Sequence, residues 1–65
     1  MLRIPNAYGH DVEVTLKDGK VLTGFVFDYD NPFENDSGNF SMDLETNSEF
    51  CTIDDELIKD IKIIA

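Results

Sequence analysis

The chain has 65 residues with 14 acidic and 5 basic side chains, a net charge of −9, and one cysteine. That length holds one domain, 1–65, with a thin core that buries only about 60% of its unfolded surface. A single cysteine excludes an intrachain disulfide, and no apolar run approaches the ~18 residues that span a bilayer. No basic stretch followed by an apolar run opens the chain, so a cytoplasmic location without membrane contact is expected.

The first clear element is "DVEVTLK". Val12, Val14 and Leu16 alternate with Glu13, Thr15 and Lys17, the period of a half-buried strand. Asp18–Gly19 then signals a tight hairpin. A two-residue loop there would set Lys17 directly against Lys20. A three-residue loop, with Gly19 left-handed, pairs Leu16 with Lys20, Val14 with Leu22 and Val12 with Gly24. The second register is preferred, because it separates the lysines and puts Gly24 on the inner face, where the strand must bend. Phe25, Phe27 and Tyr29 then fall on the outer side, unless a bulge returns Tyr29 to the core.

Asn31–Pro32 ends the second strand, because proline has no ladder donor. Glu34 to Gly38 forms a connection into a third strand, "NFSMDLET", with Phe40, Met42 and Leu44 alternating. Asn47–Ser48 is a short turn. A fourth strand, "EFCTI", turns either Phe50 and Thr52 or Cys51 and Ile53 inward. Asp54, Asp55 and Glu56 suit the start of one helical turn, with Leu57 and Ile58 plugging the end of the core. "KDIKIIA" is the fifth strand, with Ile61 and Ile63 on one side. The expected fold is all-β: a small five-stranded SH3-like barrel with one short helical turn before the last strand.

Charge is unevenly placed. From Asp28 to Glu56 there are ten acidic residues and no Lys or Arg. Nucleic-acid affinity is dominated by phosphate neutralisation, for which this chain offers little; high net charge by itself serves solubility.

The segment "VEVTLKDGKVLTGFVFDYD" resembles the first motif of Sm-like (LSm) proteins. Val12, Val14, Leu16, Gly19, Leu22, Gly24, Val26, Tyr29 and Asp30 match its pattern of alternating apolar residues, turn glycine, and bent strand ending at an aspartate. "FCTIDDELIKDIKII" is similar to the region of the second motif more loosely. The chain also resembles short uncharacterised bacterial proteins of this build, from which no activity follows. The resemblance implies an RNA-reading loop after the second strand. Asp30 fits that loop's aspartate, but Phe33 or Glu34 stands where Met and Asn belong, and Lys59–Asp60 replaces the Arg-Gly pair before the last strand. It also implies self-association, with the fourth strand of one subunit joined to the fifth of the next.

Four functional classes can be weighed. For RNA, Tyr29 or Phe33 could stack on a base, with Asp30 and Asn31 beside them, but without a basic groove. For a cation, Asp28, Asp30, Asn31, Glu34, Asn35, Asp36, Ser37 and Asp43 offer oxygen ligands, yet a loop glycine at Gly38 would put Phe33 first, where an EF-hand loop requires aspartate. A solvated acidic loop is the plainer expectation, with no metal or cofactor. For catalysis, the lone His10 and Cys51 lie about forty positions apart with nothing to orient either, and no small-molecule substrate is evident; a non-enzyme is expected. For protein interaction, the fourth and fifth strands are edges, and Phe50, Ile53, Ile61 and Ile63 supply apolar side chains there. Phe25, Phe27 and Phe33 add aromatics that either cap the core or mark a contact. The acidic stretch also admits a basic partner. A non-catalytic, self-associating interaction module is therefore expected, with the protein itself or another protein as partner; the alternative is a divergent Sm-like RNA binder.

Overall fold

The structure is a computed structural model and describes residues 3–65. Five antiparallel strands form one sheet: β1 (Asp11–Leu16), β2 (Val21–Asp30), β3 (Ser41–Glu45), β4 (Phe50–Asp54) and β5 (Ile58–Ile63). Their order is β4-β3-β2-β1-β5. The sheet is open, because β4 and β5 lie at opposite edges and are not paired with each other. A short helix, α1 (Arg3–Ala7), precedes β1, and 3-10 turns cover Pro32–Glu34 and Asp55–Leu57.

The β1–β2 hairpin takes the three-residue loop. Val12 pairs with Gly24 and Val14 with Leu22. The Leu16 amide donates to the Lys20 carbonyl at 2.8 Å, and Gly19 sits at φ +97°, a conformation that glycine adopts without cost. At Gly24 the strands bend so closely that a Cβ would fall on the Glu45 carbonyl oxygen and within 3.0 Å of Leu44. Farther along β2, the register against β3 shifts between Val26 and Asp28, which marks Phe27 as a bulge. Before it, Val26 is buried; after it, Tyr29 packs against the core. The bulge thus returns Tyr29 to the inside by the expected route.

Thr46 and Glu49 close the β3–β4 turn around Asn47–Ser48. With Leu44 opposite Cys51 and Met42 opposite Ile53, the open alternative in β4 resolves to Cys51 and Ile53 inward. The core is Ile4, Ala7, Val12, Val14, Val26, Met42, Leu44, Ile53 and Ile58, flanked by Leu16, Leu22, Tyr29, Phe40, Cys51 and Ile61.

Two features differ from expectation. Arg3–Ala7 is helical and buries Ile4 and Ala7 completely; five residues are too few to display a helical period, and Pro5 is tolerated because the first turn needs no such donor. Of the intended end plug, Ile58 is buried and Leu57 is exposed, because Ile58 is the residue that begins β5 and pairs with Leu16. The Asp55–Leu57 turn itself is where the acidic run suggested, with Asp54 as its N-cap.

Candidate functional site

The segment after β2 is an ordered structure. Asn31 Oδ1 accepts from the amides of Phe33 (3.0 Å) and Glu34 (3.2 Å), while Glu34 Oε1 accepts from the Asn31 amide at 3.0 Å. This reciprocal cap starts the 3-10 turn and leaves Pro32, without a donor, at its first position. Beyond the turn, Asn35 Nδ2 donates to the Asn39 carbonyl (2.8 Å) and to Ser41 Oγ (3.0 Å). Ser37 Oγ donates to Asp54 Oδ2 at 2.6 Å, and Asn39 Nδ2 donates to Asp54 Oδ1 at 3.3 Å. The loop therefore folds back over the outer side of the sheet, and Ser41, an outward position by alternation in β3, becomes buried beneath it.

The four loop residues singled out in the sequence do not share one surface. Tyr29 points inward, its ring 5.4 Å from Tyr8 and 6.3 Å from Phe40. Asp30 is half-buried at the end of β2. Asn31 has its side-chain oxygen committed to the cap. Phe33, at 98% relative exposure, stands free on the capped turn. At the edges, Ile53 is a core side chain of β4 and Ile61 is half-buried against the core, whereas Phe50 and Ile63 are 69% and 49% exposed.

The outer face of β2, β3 and β4 contains a pattern that sequence spacing did not display. Phe25, Glu45 and Phe50 are successive cross-strand partners and form one row. Asp28, Asp43 and Thr52 form the next, in which Thr52 Oγ1 donates to Asp43 Oδ1 at 2.7 Å. Phe27, at the bulge and outside like Phe25, meets Phe50 edge-to-face at 5.2 Å. Beside the first row, an open groove of about 580 Å³ is lined by Thr23, Phe25, Glu45, Asn47 and Ile64.

Electrostatics separates two carboxylates. Asp30 is pushed above its ordinary value by desolvation and then by the nearby charges of Glu34, Asp43 and Asp28. Asp54 is held below its ordinary value by the Ser37 hydroxyl, then by the Glu56 amide and Asn39. Among the described residues, no three Asp, Glu, His or Cys side chains converge in a way that could hold a metal ion. His10 and Cys51 do not meet: His10 precedes β1 and contacts the Ala65 carbonyl at 3.2 Å, and Cys51 is on β4, three strands away in the sheet order. Among the described residues, no helix is long and apolar enough to cross a membrane.

The fold is thus a small, mostly β domain built on one open five-stranded antiparallel sheet. Comparison with protein-family models finds no match, and comparisons with curated proteins and with solved structures find none either.

Proposed function

We propose that this chain is a non-catalytic interaction module of the Sm-like, SH3-like barrel kind, and that it self-associates by joining β4 of one copy to β5 of the next. The observation that carries this reading is that, among the described residues, both edges of the sheet, β4 and β5, lack a strand partner on their outer side. Unpaired strand edges are templates for another strand, and each edge here has an exposed apolar side chain, Phe50 on β4 and Ile63 on β5. The edges also differ in charge. β5 carries Lys59 and Lys62, whereas β4 carries no basic residue, ends at Asp54 and follows Glu49. Such a pairing is heterologous, and complementary charge favours it over pairing of like edges.

Light scattering on the eluting protein tests this directly. A mass that is a multiple of the 7.4 kDa chain, reduced by Ile63→Glu, is the expected result. A single-chain mass at millimolar concentration, in low and in high salt, overturns it.

A second reading, a divergent Sm-like RNA binder, is favoured by Phe33 alone. Its ring is almost fully exposed on a capped turn after β2 and could stack on a base. The surrounding carboxylates oppose it, since no Lys or Arg lies between Asp28 and Glu56. A salt-sensitive mobility shift with poly-U or poly-A, lost in Phe33→Ala, would establish it; no shift at low salt removes it.

A further inference from the structure

The bulge in β2 turns two consecutive residues, Phe27 and Asp28, to the outside of the sheet. Bulges re-aim side chains, and this one places a ring next to a charge. The ring packs edge-to-face on Phe50, while Phe25, separated from Phe50 by Glu45 in the cross-strand row, lines the neighbouring groove with Ile64. The charge is set directly opposite Asp43. Like charges in a cross-strand pair destabilise a sheet, and Asp30 and Glu34 add to the same field. Among the described residues no basic side chain forms an ion pair with it, and β2, β3 and β4 contain no Lys or Arg.

We propose that the outer face of β2, β3 and β4 docks an extended, lysine- or arginine-bearing apolar segment of another protein. Phe25, Phe27 and Phe50 receive its apolar side chains, and Asp28 and Asp43 receive its cations. Charge complementarity selects this occupant. An anionic partner would face the Asp28–Asp43 pair, and an uncharged one would leave it unrelieved. A cation placed between that pair and the rings of Phe27 and Phe50 also gains the attraction of the ring faces. Thr52 holds the Asp43 carboxylate from one side, so the anionic row is partly ordered in advance. This surface is the outer face of the sheet and not its backbone edge; it shares Phe50 with the β4 edge, but the inference does not depend on edge pairing.

The test is a titration followed by amide chemical shifts, with an eight-residue peptide of alternating Lys and Val as probe. Octalysine and a Glu–Val peptide are the controls. Saturable shifts are expected at residues 25–28, 43–45 and 50–52, with octalysine binding at least tenfold more weakly and the Glu–Val peptide not at all. Phe27→Ser is expected to weaken the Lys–Val peptide at least tenfold while leaving octalysine unchanged. Should that variant unfold, the double variant Asp28→Asn, Asp43→Asn, which removes a repulsion and is expected to fold, should weaken the Lys–Val peptide by a similar factor. Equal binding of octalysine, shifts centred elsewhere, or indifference to both variants overturns the proposal. So does a fall in the protein's own mass on Phe27→Ser without peptide, which would assign the face to a second copy of the chain. Absence of self-association in the wild type bears only on edge pairing and leaves this titration informative.

Discussion

Ser37 donates its hydroxyl to Asp54 at 2.6 Å, across 17 positions of sequence. One carboxylate thereby fastens the acidic loop while its other oxygen caps the Asp55–Leu57 turn through the Glu56 amide at 2.9 Å. Two surface segments share one anchor, and the charge of Asp54 matters to both.

Asp54→Ala should release both segments. Amide exchange at residues 35–39 and at Glu56 is expected to accelerate together, and stability to fall by about 1–2 kcal/mol, the usual cost of a lost cap with a charge-assisted bond. Because the folded carboxyl lies below its ordinary value, its contribution is present at neutral pH and is lost as pH falls through that lowered value. Acceleration confined to one segment would refute the shared anchor.

Asp30 predicts the opposite sign. Its raised folded value means that its ionised form is disfavoured in the native state, so the penalty is present at neutral pH and is relieved as pH falls through the raised value. Asp30→Asn should therefore raise the urea midpoint at pH 7 and diminish the gain seen on mild acidification. A lower midpoint at pH 7, with unchanged slope, would show that Asp30 supports the fold instead.

Gly24→Ala tests the bend. The added methyl meets the Glu45 carbonyl, a backbone atom that cannot rotate away. A loss of roughly 1–3 kcal/mol is expected in chemical denaturation. Gly38→Ala offers a contrast, since no atom crowds that position and the strain would come from its φ of +75° alone. If Gly24→Ala proved neutral, β2 and β3 could not be as close as described.

Arg3 ties α1 to the far end of the chain. Its Nε donates to Asp55 Oδ1 at 2.8 Å, and its terminal nitrogens donate to the carbonyls of Asp55 (3.1 Å), Ile58 (2.8 Å) and Lys59 (3.4 Å). The ion pair is about one-third exposed, so it adds little by itself; the carbonyls that need donors carry more. Arg3→Met is expected to cost about 1–2 kcal/mol and to speed exchange within Arg3–Ala7. Lys at this position should recover only part of the loss, because an ammonium cannot span several acceptors as a guanidinium does. Full recovery by Lys would reduce the contact to simple charge.

Local chemistry is the part of this fold that is legible in the sequence. The Leu16–Lys20 register follows from a glycine two residues past a lysine and from the penalty of facing lysines. The inward place of Gly24 follows from that register, whereas alternation alone leaves Tyr29 outside, and only the register shift between Val26 and Asp28 against β3 returns it to the core. The helix Arg3–Ala7 is not legible, because its stability comes from burying Ile4 and Ala7 against strands distant in sequence. For the same reason β4 is ambiguous: "EFCTI" alternates equally well in either phase, and only its pairing with β3 sends Ile53 inside and Phe50 outside.

By itself, then, the sequence determined the number and kind of strands, the first hairpin's register and the net field of the chain, since periodicity, turn chemistry and charge are properties of neighbouring residues. The tertiary structure alone decided that the loop Asn31–Asn39 is clasped by Asp54, that Phe27 and Asp28 emerge side by side, and that Asp28 meets Asp43. Those are relations between segments that touch only after the sheet has formed, and no spacing along the chain encodes them.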